Sequence, residues 1–251
     1  MIVDNNITLE FFLRMLLGHL VGDFVLQPYK IALAKRAGWR GLILHVSIVT
    51  ATTAVAIYNT TPNWYVWVVV LFAVHLFIDQ FRTYVFTDNS NGKSLFFFVV
   101  DQIVHLISIM VISWLAIGWT FSSLPPIVIG TLSSQNTVLL LSCLFIVAVW
   151  VAPILEVELA TAIMSKQAPS SKELVPIRRS DRVLGAFERV ITVALIMFSL
   201  ALFIPLVFLP RLYWLFHEDA PPNKIAIYSK MGTSFVTALA IGLTLWPMPP
   251  T

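Results

Sequence analysis

"HLVGDFVLQ", residues 19–27, lies in an otherwise apolar run that begins near Leu9. His19, Asp23 and Gln27 follow one another at four-residue intervals. Four residues are one helical turn, so on a helix the three share a face. Ionisable groups are costly in hydrocarbon, so if this helix crosses a bilayer, that face looks at protein or water rather than lipid. Composition decides that it crosses: 58% of the residues are hydrophobic, 12% are charged, and the mean hydropathy is +0.86. An ordinary soluble domain carries about twice that charged fraction.

Working outward with a window of about 19 residues predicts an all-α, polytopic membrane helix bundle. It has about seven transmembrane helices, at 9–27, 41–57, 64–85, 95–119, 137–164, 184–209 and 225–246, in one transmembrane domain over 1–251. Proline, glycine and short polar clusters punctuate the connections. Arg14 and the lack of a small-residue cleavage site mark the first run as a retained span rather than a signal peptide. Residues 125–132 are expected to be re-entrant or interfacial, and Pro153 to kink the fifth helix. Gln27, just before Pro28, is expected to close the first. The tryptophans cluster near the proposed span ends, as an aromatic belt does.

Lysine and arginine concentrate in alternate connections. Lys30, Lys35, Arg36, Arg40, Arg82, Lys93, Lys166, Lys172, Arg178, Arg179 and Arg182 fall in the first, third and fifth, and none falls in the second or fourth. Positively charged loops stay cytoplasmic. The expected topology is N-terminus outside and C-terminus inside. A net charge of +3 is loop bias of this kind and no footprint of nucleic acid. Cys143, the single cysteine, excludes an intramolecular disulfide and a thiolate cluster. No glycine-rich phosphate loop, H-E-x-x-H helix or G-x-S-x-G elbow is present, so a nucleotide-driven pump, a zincin and a serine hydrolase lack support.

With this topology nearly every ionisable residue within a span falls in the cytoplasmic half. His19 and Asp23 are one turn apart, as are His75 and Asp79, and Asp101 and His105; His45 lies at the same depth. Several such groups at one depth imply mutual pairing. Neutral imidazole with carboxylate is also a donor set for a divalent zinc, manganese or iron ion. His19, Asp23, His45, His75, Asp79, Asp101 and His105 are therefore the expected metal ligands. The bland alternative is interhelical hydrogen bonding. Glu188 and Arg189 are neighbours on one helix and point apart. Glu188 is the expected base. Arg189 is an expected anion clamp, with Asp79, Asp101 or a lipid phosphate as its partner, or else a snorkelling interfacial arginine.

The ordered stretches "LLGHLVGDFVLQ", "LILHVSI", "VHLFIDQFR", "VDQIVHLI", "LGAFERVITV" and "YSKMGTSFVTALAIGL" resemble the bacterial membrane-protein family catalogued as domain of unknown function 3307. The resemblance runs from the first span to the last. It implies that His19, Asp23, Gln27, His45, His75, Asp79, Asp101, His105, Gly185, Glu188, Arg189 and Gly232 matter, and it implies no particular activity. Tyr228, Ser229 and Lys230 stand where that pattern often has an acidic residue before the aromatic.

Three functions fit these residues. The first is a metal-dependent hydrolase of a lipid or other amphiphile, with the His/Asp set holding the ion. The second is a proton or metal-ion transporter using the same residues as a relay. The third is a non-catalytic subunit of a larger membrane complex, its histidines structural or cofactor-ligating. The lipid bilayer and membrane proteins are the expected partners.

Overall fold

The computed structural model describes residues 5–85, 94–118, 132–167, 179–216 and 224–245, and among them there is no strand. Residues 125–131 of the expected interfacial piece lie outside the described residues.

Two compact units divide the chain, residues 1–88 with 96–146, and residues 89–95 with 147–251. The first contains α1 (Asn5–Leu20), a π-helical turn (Val21–Val25), α2 (Tyr29–Ala37), α3 (Trp39–Ala56), α4 (Trp64–Val85), most of α5 (Ser94–Ile117) and α6 (Ser134–Ile146). The second contains a π-helical turn (Val147–Val151), α7 (Ala152–Gln167), α8 (Arg179–Met197), a 3₁₀ turn (Ala201–Phe203), α9 (Ile204–Val207), α10 (Leu209–Phe216) and α11 (Lys224–Leu245).

Four helices, not seven, are long and apolar enough to cross a membrane among the described residues: Trp39–Ala56, Trp64–Thr83, Leu95–Ile117 and the continuous Ser134–Ile163. Only 17% of the α4 window is buried inside the protein, and Phe77 and Val69 on that helix are 70% and 67% exposed. Apolar faces of this extent require lipid or a protein partner, and the chain reads as a membrane protein.

The three remaining predicted spans fall short for separate reasons. The first is a 16-residue α-helix carrying Glu10 and Arg14, followed by a π turn that holds Asp23. The sixth ends at Met197, where Ser199 takes a left-handed φ of 58° and breaks the run that was expected to continue to 209. In the seventh, α11 is 22 residues long, but Lys230 and the hydroxyls of Ser229, Thr233, Ser234, Thr237 and Thr244 dilute its hydropathy.

Both π turns sit just ahead of a proline. The first closes with the Leu26 N–H donating to Val21 O at 2.9 Å, and Pro28 then starts α2, so Gln27, expected to close the first helix on the face of His19 and Asp23, lies beyond its end instead. The second lies immediately before Pro153. Proline removes one N–H from the ladder and crowds the preceding turn, and a widened turn absorbs that mismatch.

In the first unit, α1 packs on α3 and α6, and α3 packs on α2 and α4. The approach of α1 to α3 is set by Gly18 and Gly22: a Cβ on either would come within 2.5 Å of an α3 Cα, that of Thr53 or Val49. Thr52 Oγ1 donates to Gly18 O across this seam at 2.8 Å. Small residues that let backbones meet are how helices associate where lipid removes the hydrophobic drive. Phe11, Met15, Ile57, Leu71, Ile109 and Ile112 form the apolar core beside it. In the second unit α11 packs on α8 and α7.

Candidate functional site

The seam between α1 and α3 places His19 and Asp23 opposite His45, and α4 and α5 bring His75, Asp79, Asp101 and His105 to the same place. None of the seven residues is more than 6% exposed. The one-turn pairs approach as the spacing predicts, His19 Nε2 to Asp23 Oδ2 at 3.8 Å, His75 Nε2 to Asp79 Oδ2 at 3.4 Å, and His105 Nδ1 to Asp101 Oδ1 at 3.8 Å. The contacts between helices are as close or closer. His45 Nε2 lies 3.2 Å from both Asp23 Oδ1 and Asp79 Oδ2, and 3.3 Å from His75 Nε2. The rings of His75 and His105 are 4.5 Å apart at their centroids, and His19 is 5.0 Å from His75 and 5.2 Å from His105.

Three overlapping sets have one donor atom per residue, all within 4.8 Å of one another: His19, His75 and His105; Asp23, His45 and His75; Asp79, Asp101 and His105. All seven expected ligands are thus in one buried cluster of the first unit.

The tautomer of His105 follows from its neighbour. Its Nδ1 lies 2.8 Å from the Asp101 carbonyl oxygen. A carbonyl only accepts, so in the neutral ring Nδ1 carries the proton and Nε2 is a bare lone pair. That Nε2 has no hydrogen-bond partner, and neither nitrogen of His19 has one; Asp101 Oδ1 also lacks one.

Two cations enter the cluster that sequence reasoning assigned to loop bias. Lys35 Nζ reaches from α2 to Asp79 Oδ2 at 2.9 Å and to His45 Nε2 at 3.3 Å. Arg82, three residues after Asp79 on α4, donates from Nη1 to Asp101 Oδ2 at 2.8 Å. Arg82 has one sequence signal, a base close to the end of a helix that carries a buried acid; Lys35 has none, since α2 carries no acid. Three aspartates against two cations leave one negative charge when the imidazoles are neutral.

Glu188 and Arg189 belong to the second unit and diverge there, as adjacent helical positions must. Arg189 is fully buried rather than snorkelling. Its Nε donates to Ala148 O in the π turn, and its Nη1 to Glu156 Oε1 and, at 2.9 Å, to Ser234 Oγ. Asp79 and Asp101 take Lys35 and Arg82 instead as their close cations. Glu188 pairs with Arg211, whose Nε lies 2.7 Å from Oε1.

Residues 11–131 match the family model described as "Protein of unknown function (DUF3307)". Over this stretch, just under half of its length, the chain is similar to that family. All seven clustered histidines and aspartates fall within the matched DUF3307 residues, whereas "LGAFERVITV" and "YSKMGTSFVTALAIGL" lie beyond them. No curated protein and no solved structure matches the chain.

Proposed function

We propose that this protein is a membrane-embedded, metal-dependent hydrolase acting on a lipid or another amphiphile. One observation carries the reading: His19, His75 and His105 turn nitrogens toward one another inside the protein, and His19 and the bare His105 Nε2 have no hydrogen-bond partner. Buried polar atoms without partners call for an ion or water, and three imidazoles with an open fourth position are a zinc-type donor set. The Asp101 carbonyl orients His105 as outer hydrogen bonds orient metal-binding histidines. The residual negative charge of the cluster favours a cation.

A divalent zinc, manganese or iron ion held there supplies Lewis acidity and lowers the pKa of water to about 7. Asp79 and Asp101 are the carboxylates placed to accept a proton. Lys35 and Arg82 hold those carboxylates in position and offset their charge. In this reading base and cation roles are available within the first unit, while Glu188 and Arg189 are engaged by Arg211 and Glu156. The lysine and arginine bias supports an orientation with the connection between α1 and α3 facing the cytoplasm, and the resemblance to a bacterial family makes the bacterial inner membrane the proposed location.

The ion pairs also favour a second reading, in which the cluster only ties helices together within a larger membrane complex. Elemental analysis of the purified protein separates the two. The native chain is expected to hold about one divalent ion, and His75→Ala with His105→Ala to lose it while keeping the native helix content. Equal metal in both proteins would leave the helix-tying reading.

A further inference from the structure

Lys35 reaches a point of the cluster that hydrogen bonding alone does not satisfy. Around His45 Nε2 lie Asp23 Oδ1 and Asp79 Oδ2, each at 3.2 Å, and His75 Nε2 and Lys35 Nζ, each at 3.3 Å. An imidazole nitrogen carries either a proton or a lone pair. With a proton, His45 Nε2 serves the carboxylates and meets the Lys35 ammonium donor to donor. With a lone pair, it accepts from Lys35 and turns that pair toward two carboxylate oxygens. Asp79 adds a second deficit. It is fully buried and neither of its oxygens takes a hydrogen bond, so Lys35, 2.9 Å from Oδ2, acts on it as a charge rather than as an aimed donor.

A metal ion satisfies the nitrogen and both oxygens together. Ligand atoms about 2.0 Å from a tetrahedral ion lie about 3.3 Å from one another, close to the 3.2 Å between His45 Nε2 and each carboxylate. Two carboxylates with an imidazole suit a divalent ion. Asp23 and Asp79 bring two negative charges to His45, and Lys35 is the cation in contact there, since Arg82 goes to Asp101. With neutral imidazole, one ammonium leaves this corner of the cluster negative by one, and a divalent ion in its place balances it. The Lys35 side chain is 11% exposed, so a displaced ammonium has a route to water.

We propose that Asp23, His45 and Asp79 form a second divalent-ion site, and that the Lys35 ammonium competes for it and holds the native cluster at one ion. The inference rests on the metal-dependent reading in one respect, that the first ion belongs to His19, His75 and His105. While Lys35 stays on Asp79, that carboxylate is kept from metal and remains a proton acceptor. When Lys35 withdraws, Asp79 becomes a ligand.

The test uses the full chain in detergent, stripped with a chelator and titrated with zinc. Bound zinc is counted by elemental analysis and affinity is read by calorimetry. The native chain is expected to take one ion tightly, and Lys35→Met to take a second at least about tenfold more tightly than the native chain does. Lys35→Gln carries the same expectation, should the methionine variant lose its helix content. Adding Asp23→Asn to Lys35→Met is expected to remove the second ion and leave the first. Lys30→Met, which removes an exposed lysine of the same helix, is expected to bind as the native chain does. The proposal is overturned by native stoichiometry and affinity in the Lys35 variants, by a second ion that survives Asp23→Asn, or by an equal gain in Lys30→Met. One ion in Lys35→Met against none in the native chain would end the histidine-site reading and still support Lys35 as the competitor; no ion in either would end both.

Discussion

Asp79 shows what a single residue contributes to the cluster. Its carboxylate is fully buried and lies within 3.4 Å of Lys35, His45 and His75. A buried ion pair that loses one partner leaves an uncompensated charge, which costs about 3–5 kcal/mol. Asp79→Asn is therefore expected to lower unfolding stability in detergent by about 3 kcal/mol. Lys35→Met is expected to cost less, because Lys35 is 11% exposed and water can reach its end of the pair. Combining Lys35→Met with Asp79→Leu removes both charges, and its stability should recover most of the Asp79→Asn loss; additive losses would show that the pair is not coupled. The aspartate was legible in the sequence because His75 sits one turn before it. Lys35 was not, since its contact depends on how α2 lies against the bundle and no spacing along the chain encodes that. Arg189 stood out in the sequence as a cation within a span, but neither its full burial nor its partners were legible, because Glu156, Ser234 and Ala148 approach it from other elements.

At the scale of elements, the α1–α3 seam controls whether the histidines meet. Gly18 and Gly22 precede His19 and Asp23 by one residue each, so the contact that seats the glycines on Thr53 and Val49 also fixes where those two side chains emerge. Gly22→Val forces side-chain bulk against an α3 backbone that cannot yield as a flexible side chain does. Overpacking of this kind costs about 1–3 kcal/mol, and a lower thermal midpoint should record it. On the metal reading, the same variant should also lose bound ion although no ligand has been changed; unchanged metal content would mean that the seam does not position the donors. The stop of the first helix before Pro28 and the disturbance ahead of Pro153 were both legible, because proline chemistry is local. That each would take the form of a π turn was not, since a turn can also relax by kinking or ending.

At the scale of the molecule, hydropathy identified the class and overcounted the spans. A sliding window sums apolar residues without seeing where a helix breaks, as at Ser199, or which polar residues are buried among neighbours, as Arg189, Lys230 and Ser234 are. The charge bias along the chain is independent of that count and makes its own prediction. If the first, third and fifth connections face the cytoplasm, a cysteine placed at Lys30 should be shielded from a membrane-impermeant thiol reagent in intact cells and react after lysis. One placed at Thr61, in the connection between α3 and α4, should react in intact cells. Cys143 is buried and can be replaced by serine to remove background labelling. The two sites flank α3, which is long and apolar enough to span on its own. Opposite labelling therefore establishes that α3 crosses, and its sign gives the direction. Labelling of both from the same side would make α3 a helix that does not span, and the cluster around His45 would then lie in a protein interior rather than at a depth in the bilayer.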